Sequence, residues 1–110
     1  LLYDAFHDGL TGLPNRALLL DRIGQVLRRR QGGKAADCAV LLFDLDLFKT
    51  VNDSLGPFVG DHVLTVTAER LERRRRADDT VARISADEFA VLAAGIDNAE
   101  AALSLASSLA

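Results

Sequence analysis

Asp44 and Asp46 follow directly on the apolar run Ala39-Val40-Leu41-Leu42-Phe43, and a second acidic pair, Asp87-Glu88, separates two further short apolar runs. Strand alternation puts Asp44 and Asp46 on one face and Leu45 on the other. Acids at the carboxyl end of a buried strand lie where open α/β sheets place their ligands. Hard oxygens converging from two adjacent strand tips suit Mg²⁺, which takes one or two carboxylates plus substrate phosphates. Solvent-facing acids at strand ends account for the same spacing equally well. Phe48-Lys49 offers backbone N–H groups and a cation to phosphate. Taken alone, that pair is more simply a loop lysine beside a core phenylalanine.

The elements that must position these groups can be traced by period. Asn15 suits a helix N-cap, and Leu19, Ile23, Val26 and Leu27 recur at helical spacing up to Arg28–Arg30, before the break Gln31-Gly32-Gly33-Lys34. The continuous run Ala39–Phe43 predicts a strand buried on both faces. Turn residues crowd Asn52–Pro57, which predicts a loop. Val63, Leu64, Thr67, Ala68 and Leu71 then mark a second amphipathic helix. Thr80–Ile84 and Phe89–Leu92, so close in sequence, predict a hairpin with Ser85–Glu88 at its joint. Asp97-Asn98-Ala99-Glu100 has the form of a capping box before a last helix carrying Ala102, Leu103, Ala106 and Leu109. Helix, strand, helix, hairpin, helix predicts an α/β or α+β sandwich.

The chain has 110 residues, 49% of them apolar and 26% charged, a composition that allows one globular domain with a real core. A net charge of −3 and a pI near 5.2 exclude a general nucleic-acid binder. The basic runs Arg28–Arg30 and Arg73–Arg76 read as solvated helix ends. Cys38, the single cysteine, excludes a disulfide framework. No apolar stretch approaches the ~20 residues of a membrane span and no leader pattern appears, so a cytoplasmic location without membrane contact is expected. Leu1 and the lack of Met predict a piece of a longer chain, and the end inside a helix predicts that the sheet lacks strands.

These segments resemble the GGDEF family over essentially the whole chain. Asp8-Gly9-Leu10-Thr11-Gly12-Leu13-Pro14-Asn15-Arg16 is similar to its opening motif, D-x-L-T-G-L-P-N-R. Asp44–Asp53 is similar to D-L-D-x-F-K-x-x-N-D, and Gly60-Asp61-His62-Val63-Leu64 to G-D-x-x-L. Arg83-Ile84-Ser85-Ala86-Asp87-Glu88-Phe89 occupies the signature R-x-G-G-D-E-F. The resemblance implies an α+β fold related to nucleotidyl cyclases and polymerase palms, a mostly antiparallel central sheet flanked by helices, as a single domain over 1–110 that lacks its C-terminal part. It implies condensation of two GTP to cyclic di-GMP by two facing domains, with two Mg²⁺ ions per site activating the attacking hydroxyl and offsetting triphosphate charge.

Carried onto this chain, the resemblance places metal ligands at Asp44, the Leu45 carbonyl and Asp87, and catalytic acids at Asp87 and Glu88. Asn52 and Asp61 would read guanine, through an amide that donates and accepts and a carboxylate that accepts. Backbone N–H groups around Leu47, Phe48 and Lys49 would hold the terminal phosphates. Arg76 and Asp79 match the R-x-x-D inhibitory motif that binds cyclic di-GMP, although a solvated helix end accounts for them nearly as well. Three departures bear on activity. Ser85 and Ala86 replace the two signature glycines, and alanine adds a methyl where phosphate or ribose would lie. Pro57 stands where histidine is usual and is expected to reshape the loop before Asp61. The expected function is therefore a degenerate domain that binds GTP or cyclic di-GMP in a regulatory role, attached to a sensor and, from the wording around Phe6-His7-Asp8, an EAL domain. An active cyclase and a ligand-free dimerisation module are the alternatives.

Overall fold

The computed structural model describes residues 2–31, 37–46, 48–96 and 98–110. Its elements are α1 (Leu2–Phe6), α2 (Arg16–Gln31), β1 (Cys38–Asp44), α3 (Phe48–Leu55), α4 (Pro57–Arg74), β2 (Thr80–Arg83), β3 (Glu88–Ala94) and α5 (Ala99–Leu109). The strands form one antiparallel sheet in the order β1-β3-β2. β3 takes the centre, and Phe89, Ala90, Val91 and Ala93 are wholly buried. Side-chain alternation sends Phe89 and Val91 to one face, where they meet Leu64, Ala68 and Leu71 of α4 and Leu109 of α5. Ala90 and Leu92 face the other way and pack with Ala82 against Leu19 of α2. Helices thus cover both faces of the sheet, as the expected α+β sandwich requires.

The helix ends follow local chemistry. Asn15 Oδ1 accepts the Leu18 N–H at 3.1 Å, capping α2, while its Nδ2 donates to the Ala5 carbonyl at 2.9 Å. At α5 the cap is Asn98, which accepts the Ala101 N–H at 2.8 Å. Asp97, the first residue of the expected capping box, lies outside the described residues, as do Gly32, Gly33 and Lys34 of the expected break.

Four sequence-based expectations are corrected. Asn52–Leu55 is not loop but the end of α3, and the turn into α4 narrows to Gly56, whose φ of +90° only glycine adopts readily. Pro57 consequently occupies the first position of α4, where a missing N–H costs nothing, so it does not reshape a loop. β1 is an edge strand of this sheet rather than one buried on both faces: Val40 is 43% and Leu42 68% exposed, because α2 lies over the β2–β3 side. Last, α4 ends at Arg74, so Arg75 and Arg76 belong to the following turn. Each is drawn into hydrogen bonds there.

Candidate nucleotide and metal site

The hairpin between β2 and β3 closes with Ser85 and Ala86 in place. Ile84 N–H donates to the Glu88 carbonyl at 2.8 Å, and the Ser85 N–H to the same oxygen at 3.5 Å. Register brings Glu88 opposite Asp44. The loop after β1 is tied to the hairpin by the Leu45 N–H, which donates to the Asp87 carbonyl at 3.1 Å. The backbone therefore joins the three positions expected to hold metal, Asp44, Leu45 and Asp87, together with Glu88. Asp46 lies just beyond the strand, close enough to act on Asp44 electrostatically.

Charge in this group is concentrated. The Asp44 carboxyl is held above its ordinary value of 3.8, by desolvation first, then by the negative charges of Glu88 and Asp87, a hydrogen bond to Glu88 and the charge of Asp46. Among the described residues no three His, Cys, Asp or Glu side chains converge as a ready-made metal cage. Two carboxylates plus a carbonyl fit a cation that takes its remaining ligands from substrate phosphates and water. Crowded acids that resist joint ionisation are a donor set a divalent ion would relieve. The Leu45 carbonyl accepts the Phe48 N–H at 3.4 Å, a long and weak bond that joins an expected metal ligand to an expected phosphate donor. Lys49 is exposed beside it, and Leu47 lies outside the described residues.

The guanine-reading positions form a second corner. Asn52 and Phe48, one helical turn apart on α3, both face Gly60 of α4. A Cβ at Gly60 would collide with Asn52 Oδ1, so glycine there is what lets the amide lie against α4. Asp61 follows Gly60 directly and is exposed, its carbonyl accepting the Thr65 hydroxyl at 2.9 Å. Among the described residues no hydrogen bond links the Asn52 or Asp61 side chain to the hairpin.

Arg83 and Asp8 border the hairpin tip in a contact that the sequence reading did not foresee. Arg83 Nη1 donates to both Asp8 oxygens at 3.1 and 3.2 Å, Nε to the Ser85 carbonyl at 3.2 Å, and Nη2 to the Ala86 carbonyl at 2.9 Å. One guanidinium thus fastens the hairpin tip to the opening loop. Asp8 also accepts the Thr11 N–H and hydroxyl, each at 2.8 Å. Burial alone would raise the Asp8 carboxyl. The two Thr11 bonds, the Arg83 bond and the Arg83 charge outweigh it and hold Asp8 below 3.8. Asp8 opens the first motif and Arg83 the signature, but 75 positions of separation gave no sign that they meet.

The turn after α4 is a second arginine-built device. Arg76 Nε and Nη2 grip the two Asp79 oxygens at 3.0 Å each, and Nη2 reaches the Ala94 carbonyl at 2.7 Å. Asp79, its side chain only 1% exposed, also accepts the N–H groups of Arg76 and Ala94 at 3.2 Å. Arg75 binds Glu72 and the carbonyls of Arg76, Ala77 and Asp79. The expected inhibitory pair is therefore a bidentate clip between the turn and the end of β3. Arg76 remains 45% exposed beside a cleft of about 210 Å³.

An open antiparallel sheet with an acidic hairpin tip, covered by helices on both faces, is the palm-like architecture of nucleotidyl cyclases. The sequence model described as "Diguanylate cyclase, GGDEF domain" matches residues 5–109, and the chain belongs to the GGDEF family. It is 45% identical over 102 residues to the bifunctional diguanylate cyclase/cyclic di-GMP phosphodiesterase MucR of Pseudomonas aeruginosa, covering 93% of this chain and 15% of that protein. It is 42% identical over 109 residues to the diguanylate cyclase TpbB of the same species, covering 99% of this chain and 25% of that one. The chain thus spans a quarter or less of these relatives' length. Among solved structures, the GGDEF domain of TpbB superposes with a TM-score of 0.85 at 43% identity, over 94% of this chain and 59% of that one. The coiled coil and GGDEF domain of DgcB from Caulobacter crescentus, in complex with c-di-GMP, gives 0.85 at 28% identity, over 98% and 56%. Among the described residues no helix is long and apolar enough to cross a membrane.

Proposed function

We propose that this chain is the GGDEF domain of a cytoplasmic cyclic di-GMP signalling protein that binds GTP with Mg²⁺ and has little or no cyclase activity. The observation that carries the reading is the hairpin tip: Asp87 and Glu88 are held against Asp44 and Leu45, while Ala86 brings a methyl to the tip and its carbonyl is fixed by Arg83. Asp44, the Leu45 carbonyl and Asp87 hold the metal. Asn52 and Asp61 read guanine, and N–H groups around Leu47, Phe48 and Lys49 take the terminal phosphates. When bound, the ions offset triphosphate charge. Arg76, anchored by Asp79, is the contact for cyclic di-GMP. The domain faces a second copy or another GGDEF domain, and sits in a longer chain with a sensor and an EAL domain.

A second reading, an active cyclase, is favoured by the undisturbed closure of the hairpin with Ser85 and Ala86 in place. Retention of both acidic pairs counts against a ligand-free dimerisation module. Equilibrium binding of GTP in the presence of Mg²⁺, compared with Asn52→Ala, tests the reading. Saturable binding that weakens by about tenfold in the variant, the loss of one base-reading contact worth about 1.4 kcal/mol, supports it. Absence of binding by the unaltered protein overturns it.

A further inference from the structure

Ser85 does something a glycine at its position cannot. Its hydroxyl donates to Glu88 Oε1 at 2.6 Å, the short distance of a hydroxyl bonded to a carboxylate. The backbone that carries this hydroxyl is held on both sides. Ser85 N–H leans on the Glu88 carbonyl at 3.5 Å, and the Ser85 carbonyl accepts Arg83 Nε at 3.2 Å. The Glu88 side chain is therefore bonded to Ser85, on a residue that stands opposite Asp44 in the strand register.

We propose that Ser85 is a positioning residue for Glu88, its hydroxyl fixing the carboxylate in the orientation that faces Asp44 and the metal position. The inference rests on the reading of the hairpin as a metal–nucleotide site. A half-buried glutamate still samples several rotamers, and a fixed donor on one oxygen leaves the other oriented before any cation arrives. Glu88 stands opposite the metal ligand Asp44 and would act on the ion through its charge. Groups that orient the carboxylates around a metal commonly matter about 10- to 100-fold in affinity. Exposure of Ser85 to water puts this case at the low end.

The test is Mn²⁺ binding, followed by electron paramagnetic resonance, to the protein and to Ser85→Ala, Ser85→Gly and Ser85→Thr. Both variants without a hydroxyl are expected to bind about tenfold more weakly, and threonine to stay within about twofold of the parent. In a Glu88→Gln background, Ser85→Ala is expected to change nothing further, because the oriented charge is gone. Parent-like affinity in Ser85→Ala or Ser85→Gly overturns the proposal while leaving the metal site standing. So does a threonine variant as weak as alanine. A flat titration of the parent itself removes the metal site and this inference with it.

Discussion

Replacing Asp8 by asparagine tests the device that fastens the hairpin tip. Asparagine keeps an acceptor oxygen but removes the charge that faces Arg83 and two Thr11 donors. Arg83 and Asp8 are only 15% and 20% exposed, so solvent screens this pair less than a surface ion pair. Hydrogen bonds to a charged partner are each worth about 1.5–3 kcal/mol; with acceptors partly retained, Asp8→Asn is expected to cost about 2–3 kcal/mol. For a domain of this size that lowers Tm by about 10 °C. Because the folded-state carboxyl lies below 3.8, its contribution is complete above that value and is lost as pH falls through the folded value. The stability gap between parent and variant should therefore be constant near neutrality and close in acid. Thermal melts across pH measure the gap. Hydrogen exchange at residues 84–88 should quicken in the variant, since Arg83 also holds the Ser85 and Ala86 carbonyls. A gap that keeps its size down to about pH 2 would refute the ion-pair account.

Gly60→Ala forces a Cβ onto Asn52 Oδ1, and should displace the amide, weaken GTP binding about tenfold and lower stability by about 1–3 kcal/mol, read by titration and by melts. Asp79→Asn leaves a buried position short of the charge that Arg76 grips, and urea unfolding should show a loss of about 3 kcal/mol. Asp44→Asn should act in the opposite sense. Asp44 is raised in the folded state, so its favourable contribution is present below 3.8 and is lost as pH rises through the folded value. At neutral pH the metal-free variant should therefore melt higher than the parent, and added Mn²⁺ should stabilise the parent alone.

Much of the frame was legible because local signals agreed. The Asn15 cap, the period of Val63–Leu71 and the short joint between two apolar runs each had one reading, and the structure follows them. The misreadings came from residue types whose meaning depends on distant partners. Asn52, Asp53 and Ser54 are turn formers in isolation, yet Phe48 and Asn52 find Gly60 across an adjoining helix and the segment stays helical. Val40 and Leu42 are as apolar as a central strand requires, but burial of one face depends on what α2 reaches. Arg75 and Arg76 look like a charged helix end until Asp79 and the carbonyls around it are seen to receive them. The two acidic pairs of the site could be read from spacing, whereas the arginine that aims one of them could not.

Turnover of GTP separates a catalytically silent domain from a working cyclase. Cyclic di-GMP formed from GTP and Mg²⁺ should be measured for the full-length protein and for Ala86→Gly, under conditions where GTP binding is saturated in both. Negligible product is expected from the unaltered protein, with a gain of at least about tenfold, or 1.4 kcal/mol in the barrier, when the methyl is removed. Rapid product formation by the unaltered protein, equalled but not exceeded by Ala86→Gly, would contradict that expectation and make this domain a working cyclase.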